Sequence, residues 1–149
     1  MLKRTLAIKT SINQAYHQVL SLLVQREHSA LELTRKLSAK GYVVEEIEPV
    51  LAQLAQNNYQ SDERFAEAFV LMRTNQGKGG VLISQQLKQK GIEDFDLSTI
   101  DFFELAKSVR LKKYGEQLPK NYKEKAKQQR FLQSRGFGFE QINQVFSCE

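Results

Sequence analysis

Leu37-Ser38-Ala39-Lys40-Gly41-Tyr42, Leu87-Lys88-Gln89-Lys90-Gly91-Ile92 and Leu132-Gln133-Ser134-Arg135-Gly136-Phe137 are three versions of one pattern. Each has a leucine, a basic residue three positions on, a glycine, and then an apolar side chain. Physically this is a helix stop. The leucine closes an amphipathic stretch, the cation suits the negative end of the helix dipole, and glycine accepts the left-handed conformation beyond the last turn. The glycines lie 50 and 45 residues apart. Six residues after them come Ile47, Leu97 and Ile142, and nine after come Val50, Ile100 and Val145, so the likeness runs on into the next segment. Such self-similarity is the signature of a repeat architecture.

Working outward, the period around each stop is helical. Ile12, Tyr16, Val19 and Leu23 line one face of a first helix that should end near Arg26. Ser29-Ala30-Leu31-Glu32 has the spacing of a capping box and opens a second helix with Leu33 and Leu37 inward. Ile47, Val50, Leu51 and Leu54 make a third, with Pro49 expected in its first turn. The second repeat starts at Ser61-Asp62-Glu63 and is expected to face Phe65, Phe69 and Met72 inward. Gly77-Lys78-Gly79-Gly80 breaks that helix; Leu82, Ile83 and Leu87 follow on the next, and Leu97 with Ile100 on a short third. The third repeat takes in Phe102, Ala106 and Val109, a loop near Pro119, a Lys-rich helix to Arg135, and a last helix with Ile142, Val145 and Phe146.

The expected fold is therefore all-α: three tandem three-helix repeats over residues 1–59, 60–101 and 102–149, stacked into an elongated, curved solenoid of unassigned hand. Composition agrees. Of 149 residues, 41% are hydrophobic and 26% charged, and eight glycines with two prolines are few for a many-turned β architecture. No apolar run approaches the roughly 20 residues of a membrane span. The single Cys148 closes no internal disulfide, and charge interrupts the N-terminal stretch before a signal-peptide core develops, so the chain reads as cytoplasmic.

Charge is unevenly spread. Residues 1–60 carry a net +2, residues 61–104 a net −3, and residues 105–149, with ten basic against four acidic, a net +6. The run Lys120, Lys123, Lys125, Lys127 and Arg130 is interleaved with Tyr122 and Phe131. It reads either as a solvated helix face or as a contact for phosphates, with an aromatic to stack on an unpaired base. Enzyme chemistry finds no footing. His17 and His28 are the only histidines and form no metal-spaced cluster with cysteine. The pairs Glu45-Glu46, Asp62-Glu63 and Glu93-Asp94 fall at expected helix starts, where the dipole accounts for them. Gly77-Lys78-Gly79-Gly80 lacks the spacing of a phosphate-binding loop. It is either a plain inter-helix turn or a place where Lys78 is exposed and another backbone or a phosphate comes close.

Several stretches together resemble the RecX family of recombination regulators, from about Ala15 to Phe146. They are Arg26-Glu27-His28-Ser29 with Glu32-Leu33 and Lys36-Leu37; Asp62-Glu63-Arg64-Phe65-Ala66 with Arg73; Gly77-Lys78-Gly79 on to Ile83, Leu87 and Lys90-Gly91-Ile92; and Arg130-Phe131-Leu132 with Arg135-Gly136-Phe137. One departure is visible: Gly138 stands where such proteins often have a Ser-like cap before Phe139-Glu140. The resemblance implies a non-enzymatic protein that binds the RecA recombinase filament on DNA and curbs its ATPase, growth and strand exchange. The alternative is a DNA-binding helical module that competes for single-stranded DNA. Partner-binding candidates are Arg26, Arg64, Arg73, Lys78, Lys88, Lys123, Lys127, Arg130 and Arg135. On the residues alone, Arg26 compensates a helix dipole, and Arg64 and Arg73 pair with Glu63 or Glu67. No cofactor, metal, membrane or small-molecule substrate is expected; single- or double-stranded DNA is a possible second partner.

Overall fold

The computed structural model describes residues 2–147; Cys148 lies outside them. The described residues form eight helices: α1 (Leu2–Gln25), α2 (Ala30–Ala39), α3 (Val44–Gln56), α4 (Asp62–Asn75), α5 (Gly80–Gln89), α6 (Phe102–Tyr114), α7 (Tyr122–Ser134) and α8 (Phe139–Ser147). They fall into two compact units, one of residues 2–68 with Lys90–Ile92, the other of Phe69–Gln89 with residues 93–147.

In the first unit α1 and α2 pack on α3. Ala15 and Val19 meet Leu33, Leu37, Ile47, Val50 and Leu54 in a core whose members are at most 4% exposed. Ser29 caps α2 through a complete box: its hydroxyl accepts from the Glu32 N–H at 3.1 Å, and the Glu32 carboxylate accepts from the Ser29 N–H at 3.2 Å. In the second unit α6 packs against α7 and α8. Ile83, Leu87, Phe102, Ala106, Leu132, Phe137, Ile142 and Val145 are buried there.

The repeated helix stop is real. Gly41, Gly91 and Gly136 all take positive φ, at 97°, 83° and 94°. Around the first and third, the paired bonds of a Schellman ending close the helix: Tyr42 N–H to Leu37 O and Gly41 N–H to Ser38 O, then Phe137 N–H to Leu132 O and Gly136 N–H to Gln133 O.

Four expectations need correction. The short helix at Leu97 and Ile100 is absent: residues 92–101 are irregular. Asp96 there takes the Ser98 N–H in a local turn, and Asp101 takes the Glu104 N–H as the cap of α6, so the next helix begins only after Asp101. Glu93 and Asp94 accordingly begin no helix. Pro49 is the sixth residue of α3, not in its first turn, because Glu46 accepts from the Val43 N–H at 3.0 Å and starts the helix early. Its ring leaves the Glu45 carbonyl without a helical partner at an exposed position. On α4 the buried face is Phe65, Ala66 and Val70, while Met72 is 46% exposed.

Candidate functional site

Arg26 and Arg64, both in the first unit, are each held by an acid, six and 37 residues away in sequence. Arg26 donates to both Glu32 carboxylate oxygens, at 2.9 and 3.4 Å, and to the Glu27 carbonyl at 2.8 Å. Lys90 reaches the same carboxylate at 3.4 Å. Arg64 pairs with Glu27 at 3.0 Å and donates to Asn58 at 2.9 Å, so the expected partners Glu63 and Glu67 are replaced by one from the α1–α2 junction. Half of the Arg26 side chain remains exposed. Burial alone would raise the Glu32 carboxyl, but the Arg26 and Ser29 hydrogen bonds and the charges of Arg26 and Lys90 hold it at about 2. Beside it His28 is buried, with Nδ1 bonding the Arg26 carbonyl and Nε2 accepting from Lys36, each at 3.1 Å. Burial and the two neighbouring cations outweigh that carbonyl bond and the Glu32 charge, and lower the His28 pKa.

The remaining candidates lie in the second unit. Arg73 ties α4 to α5: Nε donates to Gln86 at 2.9 Å, Nη1 to Gln76 at 2.8 Å, and the guanidinium lies 5.6 Å from the Phe69 ring centre. Lys78 is half-buried, not exposed, on a loop fixed at both sides. Its own N–H bonds Arg73 O, the Gly79 N–H bonds Arg135 O at 2.8 Å, and the Val81 N–H bonds Gly136 O at 2.9 Å. The close approach that these glycines permit is therefore made by backbone. A Cβ on Gly79 would run into the Gly136 carbonyl. The loop thus brings the Lys78 and Arg135 segments together across 57 residues of sequence. Lys88 is exposed on the last turn of α5, at the rim of a cleft of about 900 Å³ that Phe102 and Phe139 also line.

Lys123, Lys127 and Arg130 stand at i, i+4 and i+7 on α7, hence on one face, and all are exposed. That face lies roughly opposite the buried Gln128 and Leu132. Tyr122 opens the helix and is 85% exposed. Phe131 is no free stacking surface: Lys113 Nζ sits 4.4 Å and the Arg135 guanidinium 5.1 Å from its ring centre, and Tyr114 meets it edge-on. None of the three stripe cations takes part in the ion pairs found among the described residues.

Sequence reasoning passed over Arg110, 5% exposed, which donates to the Gly115 carbonyl at 2.9 Å and to Gln128 at 3.1 Å. Its signal was present: Phe102, Ala106 and Arg110 share the i, i+4, i+8 stripe, so a charge stood at a core position. Lys112 and Lys113 were also missed, having no pattern of their own. Among the described residues no group of three or more His, Cys, Asp or Glu is placed to hold a metal ion. No helix there is long and apolar enough to cross a membrane.

Comparison with known proteins meets this geometry. Family models described as the first, second and third three-helix domains of RecX match residues 15–54, 61–98 and 100–146. A protein named Regulatory protein RecX from Vibrio vulnificus (strain CMCP6) is 40% identical over 136 residues, covering 87% of this chain and 89% of that protein. One of the same name from Halorhodospira halophila is 36% identical, covering 83% and 80%. A crystal structure of regulatory protein RecX superposes with a TM-score of 0.81 at 26% identity, over 98% of this chain and 77% of that one. RecX from Lactobacillus salivarius shares the fold, with a TM-score of 0.77 at 21% identity, over 92% and 95%. Three consecutive family domains in order, with relatives covered over 80% and 89% of their lengths, leave one conclusion: the chain belongs to the RecX family of regulatory proteins.

Proposed function

We propose that this protein binds the RecA recombinase filament on DNA and limits its ATP hydrolysis, its growth and strand exchange, without catalysing a reaction of its own. The observation that carries the reading is the contrast in how its cations are used. Lys123, Lys127 and Arg130 form an exposed, unpaired row on one helix face, in the third of the chain with a net charge of +6. Such a row is drawn to phosphate oxygens or to an acidic protein surface. Lys88 and Arg135 add to the contact from the same unit, and Lys78 reinforces it beside Arg135. Arg26, Arg64 and Arg73 contribute through whatever part of each side chain its internal bonds leave open. The experiment is direct: add the protein to RecA on single-stranded DNA and follow ATP hydrolysis. Hydrolysis falls at stoichiometric amounts if the reading holds, and stays unchanged if it does not.

The second reading, competition for single-stranded DNA alone, is favoured by one feature, the bare Tyr122 ring at the head of the cationic row. Salt separates the two. Binding carried by phosphates weakens by orders of magnitude between about 50 and 200 mM salt when several contacts form, whereas filament binding with apolar contact persists better.

A further inference from the structure

A second cationic constellation lies apart from the α7 row. A pocket of about 390 Å³ is walled by Lys112 and Lys113 of α6, by Phe131 and Arg135 at the end of α7, and by Leu105 and Val109. The turn after α4, through Gly77, closes another side. No acidic side chain lines it. Lys112, Lys113 and Arg135 make none of the ion pairs found among the described residues. Phe131 holds two of the three in place, with Lys113 Nζ 4.4 Å and the Arg135 guanidinium 5.1 Å from its centre.

The bland account is dipole compensation, since the C-terminal ends of α4, α6 and α7 all contribute to this pocket. Each end supplies roughly half a negative charge. Three full cations exceed that by about +1.5, so the pocket remains a net positive site after its helix ends are served. That excess matches a phosphate monoester, which carries about −1.5 to −2 near neutral pH. A planar guanidinium beside two ammonium groups provides both a two-point donor and point charges for its oxygens. The volume exceeds that of a bare anion and lies in the range of small-ligand sites. Leu105 and Val109 give the remaining space an apolar wall suited to a ring.

From this geometry we infer that the pocket binds the terminal phosphate of a nucleotide, either free or at the end of a nucleic-acid strand, with Lys112, Lys113 and Arg135 on the phosphate and the base against Leu105 and Val109. The inference goes beyond filament binding and stands whether or not that reading holds.

The test is amide NMR titration of the full chain with adenosine 5′-monophosphate, adenosine, inorganic phosphate, a phosphoserine peptide, and short thymidine oligomers with and without a 5′-phosphate. The monophosphate and the 5′-phosphorylated oligomer should shift Gly77, Lys113 and Arg135, and adenosine and the unphosphorylated oligomer should not. Whichever of the two phosphorylated ligands binds tighter supports the site and names its source. Arg135→Gln should weaken monophosphate binding about tenfold. Because it also removes a ring contact, Lys112→Gln, which touches no ring, should weaken binding severalfold with melting unchanged. Absence of shifts at these residues, or equal binding of adenosine, overturns the site. Inorganic phosphate binding as tightly as the monophosphate removes the nucleotide, a tighter phosphoserine peptide removes the nucleic-acid class, and equal shifts by the unphosphorylated oligomer remove the monoester.

Discussion

The α1–α2 junction and helix α7 use the same residue types to opposite ends. At the junction Arg26, Lys90 and Arg64 are all engaged by Glu32 and Glu27. On α7, Lys123, Lys127 and Arg130 face solvent and take part in none of the ion pairs found among the described residues. Burial explains the difference. Glu32 is only 7% exposed, so its charge has to be met from within the fold, and three donors meet it. Exposed lysines are met by water at no cost and stay available. Charge that the fold consumes is thus distinguished from charge that it offers by the acid beside it.

The largest effect should come from breaking the consumed side. Glu32→Gln leaves Arg26 and Lys90 without their counter-charge and should destabilise the first unit by about 2 to 3 kcal/mol, short of a fully buried pair because half of Arg26 and a third of Lys90 stay in water. Thermal unfolding followed by circular dichroism measures it. Next comes Gly136→Ala, which places a Cβ against the Leu82 side chain at a φ of 94°. It should destabilise by about 2 kcal/mol through strain at the α7 ending, read as a lower urea midpoint.

Acid should sharpen the contrast. Glu32 has a folded pKa of about 2 against an ordinary 4.5, so the unfolded chain binds its proton first and stability drops as pH falls from 4.5 towards 2. His28, lowered from 6.5, works in the same direction from pH 6.5 downward, because only the unfolded ring then charges. Stability measured against pH should therefore decline in two stages, and Glu32→Gln should flatten the lower one. The smallest effect belongs to the offered side: Lys123→Gln, Lys127→Gln and Arg130→Gln should each change stability by less than about 0.5 kcal/mol. If they contact single-stranded DNA, the combined variant lowers the salt slope of binding by about 2.

Most of this contrast was legible from the residues, though not all. The helix stops at Gly41, Gly91 and Gly136 were readable because a left-handed residue and its flanking apolar contacts are local. The capping box at Ser29 was readable for the same reason, and the α7 row because its spacing is. The Arg64–Glu27 pair spans 37 residues, and the Gly79–Gly136 approach unites two glycines 57 apart, so no window along the chain contains either. The segment at Leu97 misled because its apolar spacing copies the other repeats, while Asp96 holds the Ser98 N–H in a turn and the helix cap falls later, at Asp101. Phe131 misled in another way: it is aromatic within a basic run, but its ring is already met by Lys113 and Arg135.

One comparison bears on the centre of this account. RecA on single-stranded DNA is supplied with the wild-type protein or with the Lys123→Gln, Lys127→Gln, Arg130→Gln variant, matched in melting temperature, and ATP hydrolysis is followed at equal stoichiometry. The wild type should slow hydrolysis, and the variant should leave it near the unregulated rate. Equal slowing by both would show that the exposed row on α7 is not what the filament meets.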